Sequence, residues 1–230
     1  MAIKDNILEY SNEIAQKSCA LVAVSKTHSV ENILEAYEAG QRIFGENKVQ
    51  ELVAKQVAIP KSDIEWHFIG HLQRNKVKSI APFVSLIHSA DSLRLLEEIN
   101  KQGEKCHRII PCLAQIYISR DDTKFGFDEQ ELLTFLASDK FTQLKNIRLE
   151  GLMGMATLTQ DKAQIRSEFK SLKSFFEHLK SMSLPENVQM KHLSIGMSSD
   201  YQIALEEGST LVRIGTAIFG TREIQDTIEP

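Results

Sequence analysis

Cysteine is scarce in this chain. Only Cys19, Cys106 and Cys112 occur among 230 residues, an odd number with no Cys-x-x-Cys spacing. That excludes a disulfide framework and a structural zinc site, and it suits the reduced thiols of a cytosolic protein. Positive charge is short as well: 27 Lys and Arg stand against 31 Asp and Glu, for a net charge of -4. Nucleic acid is therefore not expected as a partner. No apolar run approaches the about 18 residues that cross a membrane. The segment Met1 to Lys17 carries Asp5, Glu9 and Glu13 and has no apolar stretch of the kind a secretory signal needs. The five prolines and eleven glycines are spread over turns, with no tract that reads as a linker. These absences predict one cytoplasmic globular domain over residues 1–230. The hydrophobic content of 42% suffices for a core without staples.

What is present is alternation. Ile3 to Gln16 has helical spacing and predicts an amphipathic helix, with residues 1–18 packed on the domain. Short apolar strands then alternate with helical patterns. The predicted strands are Ala20–Ser25, Arg42–Gly45, Glu65–Gly70, Val84–His88, Cys112–Ile118, Ile147–Met153, Gln189–Ser194 and Thr210–Ile214. The predicted helices are Val30–Ala39, Val49–Gln56, Asn75–Ile80, Asp91 or Ser92 to Lys101, Asp128–Ala137, Lys162–Met182 and Ser199–Glu206. Gly40, Gly103 and Gly208 read as helix stops. Eight β-then-α units predict a closed parallel (β/α)₈ barrel of the TIM type with an extra N-terminal helix; an open doubly wound sheet is the alternative.

In such a barrel, chemistry gathers at the C-terminal ends of the strands. Lys26 closes the first strand there. A lysine at the edge of a dry interior can be a neutral amine, a nucleophile toward aldehydes. The plain alternative is a lysine snorkelling from a strand end. Gly196-Met197-Ser198-Ser199 opens the helix after strand seven and Gly215-Thr216 follows strand eight, the two loops that grip phosphate in this fold. An ordinary helix cap is the plain alternative for the first. Arg213 alternates away from Val212 and Ile214, so it points into the barrel mouth and needs a partner. A neighbouring carboxylate is expected; Glu46 is one candidate, unless it is simply solvated. His67, His71, His88 and His192 lack the spacing of a zinc site and read as core or rim residues, so no metal is expected. Asp121, Asp122 and Lys124 read as a locally paired loop. Met153 and Met155 read as barrel filling.

Six segments carry a resemblance. They are Val24-Ser25-Lys26-Thr27, Phe44-Gly45-Glu46-Asn47, His67 through Lys76, Gly151 through Met155, Leu193 through Asp200, and Val212 through Gly220. In this order, over about residues 20 to 222, they resemble the pyridoxal phosphate homeostasis proteins, whose barrel is similar to the N-terminal domain of alanine racemase. The resemblance implies pyridoxal 5′-phosphate (PLP) as cofactor. By motif position Lys26 would hold PLP as a Schiff base and Arg213 would face the pyridine nitrogen. Ser198, Gly215 and Thr216 would bind the phosphate with a main-chain contact from Met197, and Asn47 would lie beside the ring. The chain departs from the usual pattern at Ile195, where methionine is common, and at His28, where proline is. Neither change removes a contact that the resemblance assigns to the cofactor.

Two functions follow from the resemblance. One is a non-catalytic carrier that buffers intracellular PLP and supplies apo-enzymes, acting as a monomer. The other is a PLP-dependent amino-acid racemase. A guanidinium cannot accept a proton from the pyridine nitrogen, so the ring would be a weaker electron sink than one paired with aspartate. Racemisation also needs two positioned acid/base groups. Alanine racemase takes one from a second domain, for which the sequence after strand eight leaves only 16 residues. The carrier is the expected function.

Overall fold

The computed structural model describes residues 2–119 and 125–220. Asp121, Asp122 and Lys124 fall outside them. Eight parallel strands close into a barrel in chain order. They are β1 (Ala20–Val24), β2 (Ile43–Glu46), β3 (Glu65–Phe68), β4 (Leu86–Ala90), β5 (Ile110–Gln115), β6 (Ile147–Met153), β7 (Val188–Met197) and β8 (Leu211–Ile214). Helices α1 (Ile3–Ala15), α2 (Val30–Glu38), α3 (Val49–Ala58), α4 (Val77–Ile80), α5 (Leu93–Lys105), α6 (Glu129–Leu136), α7 (Asp139–Thr142), α8 (Lys162–Ser181), α9 (Tyr201–Glu206) and α10 (Thr216–Phe219) surround it. The expected barrel is present and the open sheet is not. The N-terminal helix packs by Ile7 and Ile14, and Asn6 Nδ2 donates to Ile218 O at 2.8 Å.

Local signals set several boundaries. Ser29 Oγ, Asp128 Oδ1 and Asp161 Oδ1 accept N–H bonds from the first turns of α2, α6 and α8. Gly40 and Gly208 end α2 and α9 with φ of +103° and +84°. Other boundaries move. Gly103 lies inside α5 and does not stop it; a Cβ there would stand 2.7 Å from Asn146 O, so the glycine admits a crossing loop. Neither expected cap bonds the α5 N-terminus: Ser92 Oγ donates to Asp91 Oδ1 instead. β4 and β5 are displaced from their predicted spans by about two residues. β7 continues through Met197, so Gly196 and Met197 belong to the strand and not to a loop opening α9. The turn α7 was not legible.

Strand alternation divides the core. Val22, Leu86, Leu113, Met153 and Leu211 form a separate cluster with Ala20 and Ile43 against it, and fill the barrel. The outward faces pack on the helices in one large core that contains Phe44, Phe68, Phe127, Phe141 and Phe169. Met153 is barrel filling as expected. Met155 is not: it is 43% exposed at the mouth. His67 is in register with Leu86, Ser194 with Leu211 and Met153, and Arg213 with Val22. These polar side chains share the inward face with the apolar cluster, and His88 follows two residues after Leu86.

The β6–β7 pairing carries a bulge between Leu149 and Gly151. Gly151 has φ +145°, and a Cβ there would lie 1.8 Å from His192 O. Gly151→Ala is expected to destabilise the fold by about 3 kcal/mol or more, combining backbone strain with a main-chain clash. Urea unfolding measures it; a loss within 1 kcal/mol, a routine surface effect, would mean that the bulge rearranges freely.

Candidate active-site cavity

At the C-terminal end of the barrel lies a cavity of about 450 Å³, within the range of small-ligand sites. Lys26, Asn47, Met197, Ser198, Arg213, Gly215 and Thr216 all line it. They come from four strand ends, those of β1, β2, β7 and β8, and barrel closure brings these together. Among the described residues the lining contains one lysine, one arginine and no carboxylate, so the cavity favours an anion.

Lys26 follows β1 and is half-buried at the mouth, not sealed in the interior. Its backbone is clamped on both sides. Thr27 adopts φ +67°, and its N–H donates to Glu51 Oε2 at 2.9 Å. The carbonyl of Ser25 accepts from Lys55 Nζ at 2.8 Å. Glu46 Oε1 accepts from Ser25 Oγ at 2.6 Å and from Lys55 Nζ at 2.8 Å. Alternation on β2 turns Gly45 inward and Glu46 outward against α3, so Glu46 is neither solvated nor the partner of Arg213. It is fully buried, and burial raises its carboxyl above the usual range against the pull of Lys55. Its Oε2 is buried without a hydrogen-bond partner among the described residues.

The adjoining wall, on β8, is built on Arg213. No carboxylate touches it among the described residues. Nη1 donates to Ser194 O at 2.8 Å and Ser194 Oγ at 2.6 Å, and Nη2 donates to Gly154 O at 3.1 Å. Burial pushes the guanidinium down to about 10, against the opposing field of Asp200, so it stays charged near neutrality. Behind it, His88 Nδ1 meets Ser194 Oγ and His88 Nε2 meets His67 Nδ1, each at 2.9 Å. Both imidazoles are buried, and burial pushes His67 down to about 3 and His88 far below its ordinary value. The histidines expected as core residues are therefore a neutral polar seam.

The anion-binding loops meet as the sequence predicts. Gly215 N donates to Ser198 Oγ at 3.3 Å, which joins the loop after β7 to the loop after β8 and leaves the hydroxyl proton for an anion. Thr216 adds an exposed hydroxyl at the same wall. The N–H of Met197 is already given to Asp200 Oδ1 at 2.6 Å. Residues not singled out as site residues also line the cavity, among them Gly70, His71 and Met155. A Cβ on Gly70 would stand 2.2 Å from Asn47 O, so this glycine lets the Asn47 loop approach. Its sequence signals were its place at the end of predicted strand three and within the segment His67 through Lys76.

The family described as "Alanine racemase, N-terminal domain" matches residues 1–223. The pyridoxal phosphate homeostasis protein of Aquifex aeolicus is 38% identical over 90% of this chain and 89% of its own length. That of Pasteurella multocida is 38% identical over 97% and 99%. Among solved structures, PipY of Synechococcus elongatus with PLP bound superposes with a TM-score of 0.85 at 34% identity, covering 95% of this chain and all of PipY. Alanine racemase of Bartonella henselae shares the fold at a TM-score of 0.69 and 16% identity, over 95% of this chain and 59% of the racemase.

Two outcomes follow from the charges around the cavity. Lys55→Met leaves Glu46 buried and uncompensated, and should cost about 3–5 kcal/mol in urea unfolding, with most of the loss recovered by adding Glu46→Gln. Equal stability of the single variant and the wild type would show that the pair is not the anchor. The second concerns pH. His67 and His88 bind protons more weakly folded than unfolded, so their stabilising effect is present above about pH 6.5 and lost as pH falls toward their folded values. Between pH 7 and 5.5 the two should together cost about 2–3 kcal/mol, and replacing both by phenylalanine should flatten that slope.

Proposed function

The chain belongs to the pyridoxal phosphate homeostasis protein family, on the alanine racemase N-terminal barrel, and from that membership we propose that its cavity holds PLP for storage and delivery to apo-enzymes. The observation that carries the reading is the lining itself: among the described residues, one amine, one donor-only guanidinium, paired hydroxyl and N–H loops, and no carboxylate. That donor set fits an anionic aromatic aldehyde. PLP brings an aldehyde that a primary amine captures reversibly. Lys26 supplies the amine, at a position its clamped neighbours hold fixed. Ser198, Gly215 and Thr216 supply donors for the phosphate. Arg213 presents N–H groups, and no proton acceptor, to the ring nitrogen. Asn47 flanks the ring.

In this reading the protein is a non-catalytic, cytoplasmic monomer that hands PLP to other proteins. Among the described residues, no helix is long and apolar enough to cross a membrane. The racemase reading keeps one supporting observation: His28 and His71 line the same cavity and could move a proton.

Borohydride reduction of the protein loaded with PLP, followed by peptide mass analysis, should place a phosphopyridoxyl group on Lys26. Labelling confined to Lys48 or Lys76 would reject the site. The same preparation, incubated with a panel of L-amino acids and examined by chiral chromatography, should show no D-enantiomer. Turnover of roughly 1 s⁻¹ or faster, abolished by Lys26→Ala, would replace the carrier by the enzyme.

A further inference from the structure

The buried seam behind Arg213 has only one self-consistent arrangement of protons. A guanidinium cannot accept, so Ser194 Oγ accepts from Nη1. The Ser194 hydroxyl proton must then go to His88 Nδ1, its other partner, at 2.9 Å. In the reverse direction this proton would be buried with no acceptor among the described residues, at a cost no other contact offsets. His88 Nδ1 is therefore an acceptor, and its proton sits on Nε2. That proton is donated to His67 Nδ1 at 2.9 Å, which places the His67 proton on Nε2. There it faces Glu65 Oε2 at 3.9 Å, toward the N-terminal end of the barrel. Every bond points the same way, from the guanidinium down the barrel axis.

We propose that Ser194, His88 and His67 are positioning residues: a one-way hydrogen-bonded relay, with both imidazoles in the Nε2–H form, that locks Arg213 with its remaining donors turned to the cavity. The guanidinium has five N–H hydrogens. Two of Nη1 go to Ser194 and one of Nη2 goes to Gly154. Among the described residues nothing accepts the second Nη2 hydrogen or Nε–H, which are left for a ligand. The charged groups around the relay do not compete for its protons. Arg213 at the top is donor-only, Glu65 at the base lies beyond hydrogen-bond distance of His67 Nε2 at 3.9 Å and draws its proton in the same direction, and His192 and Glu150 lie 3.8 Å from each other. The chain of oriented dipoles places a negative end at the buried cation, which stands in for the missing carboxylate without neutralising it.

The step from locked guanidinium to PLP affinity rests on the functional reading above, and two measurements separate them. The first needs no PLP. Two-bond ¹⁵N correlation spectra of the ¹⁵N-histidine-labelled apo protein should show two imidazoles that stay neutral and Nε2-protonated from pH 5.5 to 8. They are assigned by their loss in His67→Phe and His88→Phe. An Nδ1–H form, or a cationic ring, at either position would overturn the relay. The second measurement is PLP affinity. His88→Phe, or Ser194→Ala if the former does not fold, should weaken PLP binding about tenfold or more, as expected for disturbing a hydrogen bond to a charged group, and shift the visible band of the bound form. A residue that only fills the core would change stability and leave both unmoved, and that result would reject the positioning role. A wild-type protein with both tautomers as described but no affinity for PLP would uphold the relay and overturn the functional reading.

Discussion

The site depends on keeping one arginine charged inside a barrel. Arg213 is 5% exposed, with no carboxylate in contact among the described residues. An unpaired buried cation is among the costliest features a fold can carry. Here it is solvated by the protein, through two carbonyls, one hydroxyl and the imidazoles behind it. A carboxylate would have neutralised it and competed with an anionic ligand. Neutral acceptors keep both the charge and the spare donors available to the cavity.

That solution constrains the sheet. Ser194 pairs with Leu211, yet Met197 pairs with Arg213, so β7 spends three residues where β8 spends two. The extra residue is accommodated near Gly196, whose φ is +93°. The bulge lets Ser194 reach the guanidinium from the strand while Ser198 reaches Gly215 from the loop. A side chain at Gly196 would also meet Ala204 Cβ at 2.5 Å, so the glycine serves α9 packing as well as the bend. On β2, two strands away, the opposite device is used. Glu46 and Lys55 are a true ion pair, placed outside the sheet, where their charges cancel and the benefit is geometric: a fixed turn at Lys26.

Much of this was legible in the sequence because it follows local rules. Alternating apolar strands and amphipathic helices gave the barrel, and strand ends gave Lys26, Ser198, Arg213, Gly215 and Thr216, which do share one cavity. What was hidden depends on register. His67, His88 and Ser194 lie on three strands, and nothing in their spacing says that they touch. Glu46 sits beside the inward Gly45, so a boundary error of one residue reverses which face it occupies. The end of β7 was misplaced because Gly-x-Ser-Ser is also a helix-start signal. Asp91 and Ser92 offered two plausible caps that bond each other instead.

The distribution of exposure around the cavity bears on what it can do. Its floor, at Val24 and Arg213, is buried, whereas Thr27, His71, Met155, Ser199, Thr216 and Gly220 on the rim are exposed. Carbanion chemistry at an amino-acid α-carbon gains from excluding water around the reacting groups. Reversible capture and release of an aldehyde needs the reverse, a fixed binding floor beneath a mouth that solvent and a small molecule can cross. The locked arginine and the clamped turn at Lys26 provide that floor without requiring closure. Among the described residues the binding groups are already placed on fixed elements, so affinity can come from preorganisation while exchange proceeds through the open rim.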